Sequence, residues 1–258
     1  MSIQVYPPFV STEQSISAPW YLQVARGKVE GVTDVRIFGY QDAVSTTLIP
    51  IWENPTAYVY PAVAETMTLY SSDASDTNVR LLIQGLDTNF EVVSEALVLT
   101  NGTTGVTTAN QYLRINSIIN IQGPTYTFPL GILYLSNAAK TTTYAQVNLL
   151  GGVSIGKTQA SIYTVPAGFT FYLTRVNAYT SENGGVAYSV YSVYSKNNTS
   201  GAEFNVLTSP FTTQYEAYLV TPFRYIEKTD LQWQAKTKSG SHEIGMILEG
   251  VLISNTAA

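Results

Sequence analysis

The sequence predicts an all-β protein built from two antiparallel β-sandwich or jelly-roll-like domains and an extended N-terminal arm. Three stretches, residues 66–70, 169–174 and 231–236, alternate between apolar and polar side chains with a period of two. Successive side chains of a β-strand point to opposite faces of its sheet, so this period is typical of strands with one buried and one solvated face. Further short strand candidates recur between turn residues, a spacing that suits a sandwich or a barrel.

The composition indicates a folded chain with few surface charges. Apolar residues make up 45% of the 258 residues, which is enough for hydrophobic cores. Charged residues make up only 12%, about half of the usual share of roughly 25%. The surface must therefore consist largely of neutral polar groups and of tyrosine, of which there are 19. Tyrosine suits half-buried strand positions and contact surfaces alike.

Charge and cysteine content exclude several classes of protein. The formal net charge is −5, whereas nucleic-acid binding usually leaves a basic footprint, so we expect no nucleic-acid partner. The chain has no cysteine, which excludes disulfides, thiolate nucleophiles and cysteine metal sites. No segment reaches the roughly 18 apolar residues of a membrane span, and the first eight residues lack signal-peptide features. We expect a protein made in the cytoplasm without a membrane partner.

Residues 1–24 are predicted to form the extended arm, because prolines interrupt helices and central strands. These prolines are Pro7, Pro8 and Pro19. The arm carries large apolar side chains that need a partner surface: Tyr6, Phe9, Trp20 and Tyr21. Two alternatives stay open, an arm that docks on a neighbouring subunit and an arm that folds back on its own domain.

Turn residues divide the rest of the chain into a first sandwich, residues 25–122, and a second sandwich, residues 123–258. The boundary is placed at Gly123-Pro124. Candidate strands of the first sandwich are residues 34–39, 57–60, 66–70, 79–84, 90–100 and 111–121. Those of the second are residues 130–135, 144–150, 161–165, 169–179, 186–195, 216–220, 231–236 and 244–253. Asn101-Gly102 is predicted to close a tight hairpin, because both residues tolerate positive φ angles.

A tyrosine-rich run, residues 188–195, places Tyr188, Tyr191 and Tyr194 in one strand candidate. The two faces of that strand then both carry aromatic side chains. Either the strand lies between two packed layers, or one face contacts another subunit, where tyrosine is favoured.

Residues 151–158 match the phosphate-binding pattern G-x-x-x-x-G-K-[ST]. Such a loop works by opening a helix whose first amides point at the phosphates. A β-branched and aromatic run follows here, and Pro166 comes eight residues after Thr158, so a sustained helix is disfavoured. The sequence predicts a glycine-rich turn between two strands and no cofactor.

No group of residues predicts catalysis or metal binding. His242 is the only histidine, at a predicted hairpin tip. The carboxylate pairs Glu91/Glu95 and Glu243/Glu249 cannot be separated from ordinary solvated positions. Asp73, Asp76 and Asn78 share one loop, but calcium usually takes six to eight ligands. We therefore predict that the protein is not an enzyme and holds no metal.

Several short sequence segments follow one another between residues 32 and 180. They are residues 35–40, 51–53, 58–61, 81–87, Glu95, 111–116, 143–146 and 162–168. In content and order they resemble virion structural proteins of tailed bacteriophages, particularly of marine and cyanobacterial phages. The resemblance implies a protein of the particle and no catalytic residue.

The resemblance implies a capsid decoration or cement protein that stabilises the head by contacts between subunits. It would be made in the host cytoplasm and reside in the virion. Its partners would be the major capsid protein or other virion proteins, and further copies of itself in a symmetric oligomer, expected to be a trimer. The predicted contact residues are Tyr6, Phe9, Trp20, Tyr21, Tyr188, Tyr191 and Tyr194. The alternative is a tail, connector or fibre component that binds a host receptor or glycan, with Trp52 and Trp233 as candidate stacking residues.

Overall fold

The computed structural model describes residues 19–121, 125–150, 153–154, 156–181 and 189–256. Within these ranges the chain forms one short helix, α1 (Trp20–Ala25), and eighteen strands. The strands are β1 (Val32–Val44), β2 (Ile49–Pro50), β3 (Glu65–Ser71), β4 (Val79–Leu86), β5 (Val92–Leu99), β6 (Val106–Tyr112), β7 (Arg114–Asn120), β8 (Leu133–Ser136), β9 (Thr143–Val147), β10 (Leu149–Leu150), β11 (Val153–Ser154), β12 (Ile162–Thr164), β13 (Phe169–Thr180), β14 (Ser189–Asn197), β15 (Glu203–Phe211), β16 (Gln214–Tyr225), β17 (Thr229–Thr237) and β18 (His242–Ser254). The prediction of an all-β protein is confirmed.

Eight of the strands form an antiparallel jelly roll. One sheet has the order β1-β18-β13-β16, and the other has the order β12-β17-β14-β15 with β2 beside β17. Strands that follow one another in the chain repeatedly change sheet, as in the double Greek key of a jelly roll. Apolar side chains from both sheets fill the space between them, including the fully buried Trp233, Tyr191 and Phe171.

A second sandwich is inserted in the chain between β2 and β12. Its sheets have the orders β6-β3-β8-β9 and β5-β4-β7. A separate core lies between them and includes Met67, Leu69, Leu81, Ile118 and Leu135. Strands β10 and β11 form a two-stranded hairpin on the path back to the jelly roll. We call residues 51–54, which leave the jelly roll, and residues 157–161, which return to it, the neck.

The expected division into residues 25–122 and 123–258 does not follow the strand pairing. β1 belongs to the first of these ranges but pairs with β18, and β8 belongs to the second but pairs with β3. Both sheets of the jelly roll and the sheet β6-β3-β8-β9 therefore combine strands from both predicted ranges, whereas β5-β4-β7 lies within the first. Turn residues predict where strands end, but they carry no information on which strands pair. A cut at residue 122 would divide both sandwiches.

Most predicted strands coincide with observed ones, including those at residues 66–70, 169–179 and 231–236. The prediction of a strand at residues 57–60 is wrong, because this segment has no strand partner. Tyr58 instead packs edge-on between the rings of Trp52 and Tyr60. The sequence interpretation missed β6 and β15 and the two-residue strands β2 and β11.

Two further local predictions need correction. The arm was expected to stay extended to residue 24, but α1 begins at Trp20, directly after Pro19. Proline is well tolerated before the first helical turn, where its missing amide would have no partner. Asn101-Gly102 does not form the tight hairpin with positive φ; the loop between β5 and β6 is longer, and Gly105 is the residue with positive φ, 81°. Residues 1–18 and Gly123-Pro124 lie outside the described residues.

Candidate interaction surfaces and the neck

Two predicted contact residues lie on α1 and are exposed to solvent. Trp20 is 39% and Tyr21 72% exposed, whereas Val24 on the same helix is buried. The helix packs against β1, so Val24 anchors it while the two aromatic rings remain accessible. Their role in contacts stays a prediction. Tyr6 and Phe9 lie outside the described residues.

The tyrosine-rich strand β14 lies inside the jelly roll. Tyr191 is fully buried, and its ring packs against the rings of Phe211 and Tyr215. Tyr191 therefore belongs to the core, and its predicted contact with another subunit is wrong for this fold. Tyr194 lies on the opposite face of β14 and is half-buried. Tyr188 lies outside the described residues.

One side of the jelly roll exposes large apolar side chains. β15 and β16 are the edge strands of the two sheets on this side, and within the described residues each pairs with one strand only. We call this pair of edges the open side. Phe204 on β15 is 61% exposed, and Tyr218 and Val220 on β16 are 71% and 101% exposed. Exposed apolar side chains on two neighbouring edge strands make the open side a candidate contact surface.

The open side also carries features that hinder unspecific strand pairing. Four residues of β16, 219–222, lie opposite Thr174 of β13, so the edge bulges there. Pro222 in this bulge lacks a backbone N–H. Next to it, Arg175 pairs with Glu216 at 2.7 Å and lies 5.1 Å from the centre of the Tyr218 ring. Bulges, proline and charge protect sheet edges from pairing with strands of other chains.

Two of the candidate catalytic carboxylates form hydrogen bonds within the sheets. Glu249 accepts a hydrogen bond from Arg175, and Glu95 accepts one from the amide of Ala109 at 3.0 Å. The His242 ring lies 3.1 Å from the carbonyl oxygen of Ser239 at the β17–β18 hairpin, as expected for a hairpin tip. Among the described residues, no three histidine, aspartate or glutamate side chains are grouped as in a metal site.

Asp76 of the candidate calcium loop is buried and hydrogen-bonded to the protein. Its carboxylate accepts bonds from the Ser71 hydroxyl at 2.6 Å and from the amides of Leu130 and Gly131 at 2.8 and 3.0 Å. These donors occupy the oxygen atoms that calcium would need. The loop therefore fixes the start of β8.

The phosphate-loop match does not open a helix. After Thr158 the described chain forms an isolated bridge at Ala160 and then β12. Thr158 itself bonds to the backbone of Ile118 in β7. The match lies on the connection from the inserted sandwich to the jelly roll, and the described residues after Thr158 form no helix, as the sequence interpretation expected. Gly151 and Gly152 lie outside the described residues.

A buried ion pair joins the two sandwiches. Arg114 of β7 donates two hydrogen bonds to Asp230 of β17, at 2.8 and 2.9 Å. The Arg114 and Asp230 side chains are only 8% and 2% exposed. Thr164 and Asn198 also donate to Asp230, at 2.6 and 2.8 Å. The carboxylate is thus fully hydrogen-bonded, which a buried charge requires.

The remaining donors of Arg114 are satisfied as well. They reach the carbonyl oxygens of Leu113 and Pro61, and the guanidinium lies 4.4 Å from the centre of the Tyr60 ring. Beside it, the Asn116 side chain forms two hydrogen bonds with the backbone of Thr164, at 3.0 and 2.9 Å. These contacts fix β7 of the inserted sandwich against the jelly roll.

Glu53 lies in the neck and holds both passages of the chain together. It is 6% exposed. One carboxylate oxygen accepts the amide of Asn148 at 3.2 Å, and the other accepts the amide of Gln159 at 3.1 Å. Burial raises the pKa of Glu53 from 4.5 to about 7, although the two amide hydrogen bonds oppose the shift. Glu53 therefore keeps its proton at mildly acidic pH.

Trp52 and Trp233, the candidate sugar-stacking residues, are 1% and 0% exposed and belong to the hydrophobic clusters. Sequence reasoning did not find Arg114, Asp230 or Glu53. Nothing local marks them, because the partners of the ion pair are 116 residues apart. Pro222 was an available signal for the bulged edge of the open side.

No helix among the described residues is long and apolar enough to cross a membrane. No protein-family model matches the chain, and no curated protein matches it.

Weakly similar solved structures are the infectious bursal disease virus VP2 subviral particle and the Gx strain of that virus. The first has a TM-score of 0.22 and 10% identity, and the match covers 89% of this chain and 73% of that chain. The second has a TM-score of 0.23 and 11% identity, and the match covers 93% of this chain and 78% of that chain.

Replacing Arg114 with methionine should lower the free energy of unfolding by about 3–5 kcal/mol, because Asp230 would stay buried without its partner. The measurement is urea unfolding followed by tryptophan fluorescence. Arg175→Met is the matched control, since its ion pairs are partly exposed and should contribute less than about 1 kcal/mol. The double variant Arg114→Met/Asp230→Asn should recover part of the loss. Equal losses for Arg114→Met and Arg175→Met would contradict the assignment.

Glu53→Gln should remove a pH dependence of stability. The folded-state pKa of Glu53, about 7, lies above its ordinary value of 4.5, so the folded protein binds more protons between these values. The contribution of Glu53 to stability is therefore greatest below pH 4.5, falls by about 3 kcal/mol up to pH 7 and is constant above. The glutamine side chain does not titrate, so the pH-dependent contribution is removed in this variant. We expect its unfolding free energy, minus that of the wild type, to rise over this window in denaturant titrations, and a constant difference would disprove the assignment.

Proposed function

We propose that the chain is a structural protein of a virus particle, a decoration or cement protein that binds the shell and holds its subunits together. The observation that supports this most is the jelly-roll strand order with an interior filled by side chains. Jelly rolls occur in viral capsid proteins, lectins and cupins. Between the sheets of this jelly roll, Trp233 and Phe171 are fully buried. A filled jelly roll suits a role in assembly.

The exposed apolar groups provide a mechanism for cementing. Phe204, Tyr218 and Val220 of the open side, with Trp20 and Tyr21 of α1, offer apolar area that contact with the shell would bury. Burial contributes roughly 25 cal/mol per Å² before the costs of association. The partners are the major capsid protein or other virion proteins, and a symmetric trimer would repeat the contact at several places on the shell.

The double variant Tyr218→Ser/Val220→Ser should weaken binding of the purified protein to shells that lack it. The expected loss is about tenfold to hundredfold, because two apolar side chains would no longer be buried. Co-sedimentation with shells measures the affinity. Lys236→Ser, on the outer face of the other sheet, is the control and should bind as the wild type does. Electron cryomicroscopy of particles should place the protein on the outside of the head, and density confined to the tail would reject the proposal.

A receptor-binding role is the second candidate. The observation that favours it is a cavity of about 330 Å³ lined by Tyr60, Tyr194, Gln232 and Gln234, among others. Aromatic rings and amides are common in sites that fix small polar ligands. Adsorption of the purified protein to host cells or to a glycan array would favour this role, and shell binding without adsorption would favour cementing.

A further inference from the structure

Two buried carboxyl groups join the sandwiches, and they differ in their charge partners. Asp230 lies against the Arg114 guanidinium at 2.8 Å, and an arginine stays protonated at every pH at which proteins fold. Glu53 has no such partner, because no lysine, arginine or histidine forms an ion pair with it within the described ranges. The contact made by Glu53 therefore depends on one buried carboxyl group without a counter-charge.

The cavity beside Glu53 holds further acidic groups. It has a volume of about 330 Å³. The chain positions that line it come from β1, β13, β18, the neck and the end of β9, and they are Tyr40, Asp42, Glu53, Asn148, Leu149, Gln159, Tyr179 and Glu243. Among the described residues, no basic side chain lines this cavity. Lys157 of the neck has its amino group 5.7 Å from the centre of the Phe38 ring instead. An ionised Glu53 would therefore meet no positive charge there.

Glu53 belongs to a part of the neck that is fixed to the jelly roll. The Gln41 side chain of β1 donates to the carbonyl oxygens on either side of Glu53, at 2.9 and 3.1 Å. On the returning passage, the carbonyl oxygen of Gln159 accepts the Tyr40 amide of β1 at 3.3 Å. Both passages of the neck are thus attached to β1.

Asn148, by contrast, belongs to the inserted sandwich, because it directly follows β9. Its amide donates to the Glu53 carboxyl group at 3.2 Å. One residue further along the neck, Asn54 donates to the Gln146 side chain of β9 at 3.1 Å. The contact between Glu53 and Asn148 is therefore a point at which the inserted sandwich is held to the neck, and its strength depends on the state of one carboxyl group.

Protonation of Glu53 favours the closed form of this contact. Burial raises the pKa of Glu53 from 4.5 to about 7, whereas opening the contact to water would return the carboxyl group to its ordinary pKa. The closed form therefore binds the proton more tightly than the open form. The stability that this proton adds to the closed form is complete below pH 4.5 and is lost as the pH rises through 7.

We propose that Glu53 is a pH-sensitive latch between the two sandwiches. While Glu53 carries its proton, the neck stays closed on Asn148. When Glu53 ionises, water enters the cavity and this contact opens. The ion pair of Arg114 with Asp230 keeps the sandwiches joined in both states. The latch is independent of the proposed function, because it concerns how firmly the inserted sandwich is held and not what the protein binds.

Hydrogen–deuterium exchange of the full chain, resolved by residue with NMR, tests the latch. The two amides that Glu53 accepts, those of Asn148 and Gln159, are measured at about pH 5.5 and about pH 7.5, and each rate is divided by the intrinsic rate at that pH. Their protection should fall about twentyfold between the two conditions, because the opening constant follows the ionisation of Glu53. Low urea concentrations should change this exchange little, as expected for a local opening.

The Thr164 amide is the reference at the other contact, where it donates to Asn116 at 2.9 Å. At about pH 7.5 it should be better protected than the Asn148 amide. Equal protection of the two amides with the same dependence on urea would overturn the proposal, because the whole chain would then unfold together.

Two variants assign the proton. Glu53→Gln cannot titrate and should abolish the fall in protection at Asn148. Glu243→Gln removes another carboxyl group from the same cavity and should keep the fall. An undiminished fall in Glu53→Gln would refute the latch. If Glu53→Gln does not fold, the wild type still decides, since constant protection at Asn148 and Gln159 across this pH range would also refute it.

Discussion

The pairing of the first strand with the last one holds the architecture together. β1 and β18 are antiparallel from Val32 opposite Ile253 to Val44 opposite His242. Bringing together strands that are so far apart in sequence costs loop entropy, which the long ladder and the core beneath it must offset. Because β1 is fixed against β18, the inserted sandwich must leave and rejoin the jelly roll through one neck.

The neck determines how rigidly the two sandwiches are joined. Two polar contacts secure it, the ion pair of Arg114 with Asp230 and the clasp of Glu53 on both passages of the chain. Buried polar groups are unfavourable when a partner is missing, and this makes their geometry specific. A fixed angle between the sandwiches would be useful for a protein that repeats one contact on a symmetric surface. If the sandwiches moved about a hinge, the geometry of that contact would differ from one copy to the next.

The low charge content affects how this protein would associate. With 12% charged residues, long-range electrostatic steering is weak, and specificity must come from shape and from apolar contacts. The open side combines exposed apolar side chains with a bulge and a proline that hinder strand-to-strand pairing.

The sequence by itself determined the fold class, the positions of most strands and, where apolar and polar residues alternate, which side chains face inward. The alternation at residues 169–174 and 231–236 sufficed, because the period of side chains along a strand is a local property. The absence of a helix after the phosphate-loop match, among the described residues, and the position of His242 beside a hairpin followed from the same local reasoning. It failed at residues 57–60, where three aromatic rings pack together instead of joining a sheet.

Only the tertiary structure decided which strands pair, and with it the nesting of one sandwich inside the other. It also decided that Tyr191 lies in the core, that Arg114 meets Asp230 and that Glu53 lies buried in the neck. Each of these depends on contacts between segments distant in sequence. A strand with two apolar faces has the same sequence pattern whether its second face packs on a sheet of its own chain or on another subunit. Both kinds of contact remove that face from water.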